Sequence, residues 1–186
     1  MITRPSNWDS VQANNGAFPR LPAGGYVVAI KGANIRRSDS GYEYLDLTID
    51  ICEGDHAGYF TEEYKAQTFD PKRYKGHFRQ GLPVNDQAAG YFKAMITAIE
   101  ESSPGYKWNW DEQSLVGKKV GCLFRDEAWE YNGNSGIRTA AFRMTSADKI
   151  RSGDFQVPTP KYPSKQQETI ATPAGFDDIN DEDIPF

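Results

Sequence analysis

A chain of 186 residues with 38% hydrophobic content can build one ordinary core and have chain left over. No apolar run approaches the roughly 20 residues of a membrane span, and Met1 to Trp8 lack the charged-then-apolar plan of a secretory leader. A soluble protein that stays in the cytoplasm of the cell that made it is expected. Net charge is -5, but five of the 26 acids lie in residues 176–186, which leaves 21 acids against 21 bases elsewhere. The acidity belongs to the end of the chain and does not exclude a nucleic-acid partner, which local basic patches decide.

Residues 1–23 are polar and rich in Asn, Pro and Gly, an irregular arm. Gly25 to Arg37 carries Tyr26, Val27, Val28, Ile30 and Ile35, a first strand, and Ser38-Asp39-Ser40-Gly41 is a turn cluster. From Tyr42 to Ile51 apolar and polar residues alternate. Leu45, Leu47, Ile49 and Ile51 share one face, and Tyr44, Asp46, Thr48 and Asp50 the other. That pattern predicts a half-buried strand with its carboxylates outward.

Residues 53–72 admit two readings, since Glu62 to Ala66 fits a helical turn or a polar edge strand. Arg73 to Gln80 reads as a short third strand. Asn85-Asp86 can cap a helix whose apolar stripe is Phe92, Met95, Ile96 and Ile99, ended by Ser102-Ser103-Pro104-Gly105. Lys118 to Tyr131 predicts a fourth strand with Val120, Cys122 and Phe124 inward. The cluster from Asn132 to Gly136 is a hairpin turn, and Ile137 to Thr145 returns as a fifth strand. Two cysteines, Cys52 and Cys122, are too few for a disulfide scaffold and read as buried thiols.

Three strands, a helix and two strands is the order of the OB fold. The expected class is therefore mainly β, a five-stranded OB-fold barrel over residues 24–150 with one helix between strands 3 and 4. Residues 151–175, rich in Pro, Thr, Ser, Gln and Lys, read as a disordered linker. Residues 176–186 read as an acidic partner-binding tip.

That tip runs Phe176-Asp177-Asp178-Ile179-Asn180-Asp181-Glu182-Asp183-Ile184-Pro185-Phe186. A solubilising tail accounts for the acids but not for an apolar Ile-Pro-Phe after them. A pocket with an apolar slot and a basic rim can read that ring and the carboxylates together. The ending closely resembles the C-terminal tip of bacterial single-stranded DNA-binding proteins. The resemblance implies that the OB domain binds single-stranded DNA. It also implies that Asp177, Asp178, Asp181, Glu182, Asp183, Ile184, Pro185 and Phe186 dock a helicase, primase, nuclease or recombination mediator.

The arm of residues 1–23 departs from the bacterial plan, so the bacterial homotetramer is not carried over, although a homo-oligomer stays open. Leu-Pro-Ala-Gly-Gly-Tyr at 21–26 and Leu-Val-Gly-Lys-Lys-Val at 115–120 are similar to a phage-encoded family of unknown function found in recombination cassettes.

Binding a single strand without reading its sequence needs cations along the phosphates and rings that stack on bases. In OB folds the ligand crosses strands 2 and 3, flanked by the loops joining strands 1–2 and 4–5. The candidates in those places fall in three groups. Arg36 and Arg37 come with Tyr42 and Tyr44, and Lys72, Arg73, Tyr74 and Lys75 with Phe78 and Arg79. Trp129, Tyr131 and Arg138 lie around the last turn. Asp46 and Asp50, on the face of Tyr44, are expected to repel phosphate.

Two rival readings use the same stretch. Asp46, Asp50, Glu53 and Asp55 with Glu63-Tyr64-Lys65 contain the acids and the E-x-K of metal-dependent nucleases, without the apolar strand that normally carries E-x-K. Cys52, His56, His77 and Cys122 are zinc-type ligands without paired short spacings. No cofactor, metal site or catalytic residue is assigned. An adaptor that uses the tip without binding DNA explains the tail but leaves the interleaved bases and rings unused.

Overall fold

The computed structural model describes residues 3–4 and 18–162. The linker from residue 163, the tip and most of the N-terminal arm lie outside the described residues. The chain is mainly β. Strands β1 (Gly24–Arg37), β2 (Glu43–Ile51), β3 (His77–Gly81), β4 (Lys119–Tyr131) and β5 (Asn134–Thr145) form one antiparallel sheet in the order β3-β2-β1-β4-β5. The outer strands β3 and β5 come into contact, with no ladder between them. Helices α1 (Tyr59–Ala66), α2 (Asp86–Glu101) and α3 (Ala147–Ser152) complete the described elements, with one 3-10 turn at Glu112–Leu115. Among the described residues no helix is long and apolar enough to cross a membrane.

The period-2 pattern places the core. Leu45, Leu47, Ile49 and Ile51 of β2 face inward with Val28 and Ile30 of β1 and Val120, Cys122 and Phe124 of β4. Each fully buried aliphatic side chain of this kind stabilises the fold by about 1.5–3 kcal/mol. The segments that connect the strands pack against the sheet. Helix α2 joins the end of β3 to the start of β4, and its stripe of Phe92, Met95, Ile96 and Ile99 is buried there. Its N-cap is Asn85, whose side chain accepts from the Ala88 N–H at 2.8 Å. Helix α1 joins β2 to β3, and there Phe60 stacks on Phe124 at 6.0 Å, with Leu21 also in the core. The Leu21 amide donates to the Tyr59 hydroxyl, which donates on to the Pro19 carbonyl.

Of the two readings of Glu62 to Ala66, the helical one holds, as part of α1. Three expectations need correction. The third strand begins at His77, not Arg73. Gly76 stands just before it because a Cβ there would lie 2.2 Å from the Ile49 carbonyl oxygen. Strand β2 is not half-buried, since Asp46 and Asp50 are 3% and 1% exposed on the face expected to meet solvent. Finally, chain beyond residue 150 stays against the fold as far as Lys161, whose backbone pairs with β4.

This last segment forms a strap. Ile150 and Phe155 cover Gly25, and Ile150 covers Gly121, where an added Cβ would meet them at 2.6–2.8 Å. Arg151 donates twice to Glu53, and this pairing draws the Glu53 carboxyl down to about 2. Farther on, the Lys161 amide donates to the Asp126 carbonyl, and the Ala128 amide to the Lys161 carbonyl. The strap thus lies against β4 just past its pairing with β1, where the β4–β5 hairpin extends as an arm.

Candidate nucleic-acid interface

Strand register brings part of the first two candidate groups together. Arg36 stands opposite Tyr44 across β1 and β2, and Asp46 stands opposite Arg79 across β2 and β3. All four lie on the outer face, because Leu45, Leu47 and Phe78 between them are buried inward. The Arg79 guanidinium lies 5.5 Å from the centroid of the Tyr44 ring. Tyr42 reaches across the same face to β3, where its hydroxyl occupies the space a Cβ on Gly81 would need. Arg37 holds the turn instead, its Nε donating to the Gly41 carbonyl at 3.0 Å.

The carboxylates expected to repel phosphate are neutralised. Asp46 pairs with Arg36 Nε at 2.9 Å and meets His77 Nδ1 at 3.1 Å. The buried acid therefore fixes the half-exposed Arg36 head on the outer face. Asp50 accepts from the Ile51 and Phe60 amides, from Thr61 and from Lys31. Burial alone would raise its pKa, but these hydrogen bonds and the Lys31 charge hold it below the usual carboxylate range. Lys31 can reach Asp50 because a register shift between Ile30 and Gly32 leaves it as the extra residue of a bulge.

The second group divides. Phe78 is 3% exposed and belongs to the core, which corrects its assignment to the interface. Tyr74 is half-buried against Phe60, Tyr64 and His77. Its hydroxyl donates to the Ile49 carbonyl, and burial beside Asp50 pushes the phenol up to about 12. Lys75 pairs with the buried Glu63. Lys72 sits 5.9 Å from the Tyr64 ring and donates to the Lys65 carbonyl, and the exposed Arg73 lies in the loop before β3. From this group, Arg79 joins the Arg36–Tyr44 cluster on the sheet.

The third group lies on the β4–β5 arm. Asn132 and Gly133 at its tip have φ of 48° and 74°, the left-handed pair that a two-residue hairpin turn requires. Tyr131 is 72% exposed. Trp129 lies over Gly136, its cross-strand partner, and Arg138 pairs with Glu127 at 3.1 Å.

Sequence reasoning passed over three further residues on this hairpin. The guanidinium groups of Arg125 and Arg143 lie 4.0 and 5.3 Å from the centroid of Phe142. Phe142 is the extra residue at a shift in the β4–β5 register. Its signal in the sequence was the run Phe142-Arg143 after two alanines, a base beside a ring, of the kind singled out elsewhere.

The rival constellations are dispersed. Lys65 of the E-x-K pairs with Glu62, and Glu63 is turned inward on α1. His56 packs edge-on against Tyr26, His77 is engaged by Asp46, and Cys122 is enclosed in the core, which raises its thiol pKa. Among the described residues no group of three His, Cys, Asp or Glu is placed to hold a metal ion.

Residues 6–72 match a family described as a protein of unknown function, DUF669, a span well under half of the chain. It takes in β1, β2 and α1, and with them Arg36, Tyr44 and the network around Asp46 and Asp50. No curated protein matches the chain.

Proposed function

We propose that this protein binds single-stranded DNA on the outer face of β1, β2 and β3 and recruits DNA-processing proteins through its acidic tip. The observation that carries the reading is the Arg36–Tyr44–Arg79 cluster. Two cations flank a partly exposed ring, and the one carboxylate beneath them is already paired. A strand laid there meets a stacking platform and phosphate partners without base-edge readout, which suits binding of any sequence.

The strand order, the contact between β3 and β5 and the helix between β3 and β4 support reading the sheet as an OB-type barrel. In such a barrel the β1–β2 turn and the tip of the β4–β5 arm flank the ligand. Coating of exposed strands during replication or recombination, in a bacterial cell or a phage-infected host, follows from that binding. The tip would then raise the local concentration of a helicase, primase, nuclease or recombination mediator on the coated strand.

Fluorescence anisotropy of labelled oligo-dT, set against duplex of equal length, tests the binding half. Saturable binding of the single strand at low salt, with duplex much weaker, is the expected result. Equal affinity for both, or none for either, would remove the reading and leave the tip to act as an adaptor.

A further inference from the structure

We infer that the outer face of the β4–β5 hairpin is a second single-strand site, centred on Phe142, which a short oligonucleotide occupies independently of the Arg36–Tyr44–Arg79 cluster. The inference rests on the single-strand reading above.

Phe142 sits where the register between β4 and β5 shifts, so it is unpaired in the ladder. Arg125, whose guanidinium approaches the Phe142 ring, shares its face of β4 with Gly121. That face is the outer one, since the direction of a Cβ on Gly121 leads to α3 and not into the core. Arg143 flanks the same ring, and Arg138 and Trp129 continue the face toward the arm tip. Glu127 is the acid among them, and it is shared between Arg125 at 3.2 Å and Arg138 at 3.1 Å. Three guanidinium groups against one carboxylate leave the face cationic, and Arg143 has no ion pair within the described residues. Guanidinium groups over the half-buried Phe142 ring, beside the exposed rings of Trp129 and Tyr131, offer both halves of single-strand recognition, phosphate pairing and base stacking.

This face is not a continuation of the first site through the middle of the sheet. Between them, Ile150 and Phe155 of the strap cover Gly25 and Gly121. From Gly25 to Arg36, β1 advances eleven residues, roughly 36 Å along the strand. A longer strand filling both sites would cross the seam where β3 and β5 touch without a ladder.

The test counts bound oligonucleotides by native mass spectrometry of the full chain. The probe is oligo-dT of about six nucleotides, short against the roughly 4–16 that an OB fold covers. The wild type should hold two per protomer. F142L with R143Q should hold one, with affinity for a long oligo-dT lowered about fivefold or more. R36Q with R79Q should also hold one, at the hairpin. One oligonucleotide per protomer in the wild type, unaffected by F142L and R143Q, would overturn the second site and leave the first standing. No binding by the wild type would overturn both.

Discussion

Replacing Asp50 with alanine is expected to lower folding stability by about 2–4 kcal/mol. The carboxylate is 1% exposed and accepts from two buried amides, those of Ile51 and Phe60. Without it both donors are left unpaired where β2 ends and α1 begins, and each orphan costs about 1–3 kcal/mol. The ion pair with Lys31 adds little, because that lysine is half exposed. Asp50→Asn keeps an acceptor for the two amides and should cost about 1 kcal/mol, which separates the hydrogen bonds from the charge. Urea denaturation reads both as shifts of midpoint at constant slope. The folded pKa of Asp50 is lowered, so its contribution is complete above the ordinary aspartate value near ~3.9. It is lost as pH falls below that value and through the folded pKa. An Asp50→Ala protein as stable as the wild type would show that the α1 junction does not depend on this carboxylate.

Tyr44→Ala should weaken binding of oligo-dT by about 1–3 kcal/mol, between roughly fivefold and 150-fold, while leaving folding stability nearly unchanged. Tyr44 is on the outer face of β2, beneath the Arg79 guanidinium and across from Arg36. Its loss removes a stacking surface and also the support that orients Arg79. Tyr44→Phe keeps the ring and should bind as the wild type does. Equilibrium titrations of the three proteins at one salt concentration give the comparison. If alanine binds as tightly as tyrosine, bases do not stack at this position.

How far the site could be read from the sequence depended on whether neighbours in the chain stayed neighbours in space. The alternation in β2, the stripe of α2 and the turn at Asn132-Gly133 are local signals, and those elements appear where the patterns put them. Asp46 and Asp50 followed the same alternation, but their burial comes from partners far along the chain. Arg36 and His77 close over Asp46, while Lys31 and α1 close over Asp50. Similarly, the interleaved bases and rings from Lys72 to Arg79 looked like one strand-binding strip. The strand starts only at His77, so Tyr74 turns toward the core, Phe78 enters it, and Arg79 alone reaches the Arg36–Tyr44 cluster. The strap was illegible for the opposite reason. Two apolar residues, Ile150 and Phe155, hold it to glycines on β1 and β4, too few to form a period.

The measurement that bears most directly on a strand-binding face across β1, β2 and β3 is the salt dependence of oligo-dT affinity in wild-type protein and in Arg79→Gln, alone and with Arg36→Gln. Each phosphate contact contributes roughly 0.7 to the slope of log affinity against log salt for a single strand. A slope shallower by about 0.7 is expected for the single variant and about 1.4 for the double, with both proteins folded. Slopes unchanged from the wild type would mean that neither arginine meets a phosphate, and the strand would have to run elsewhere.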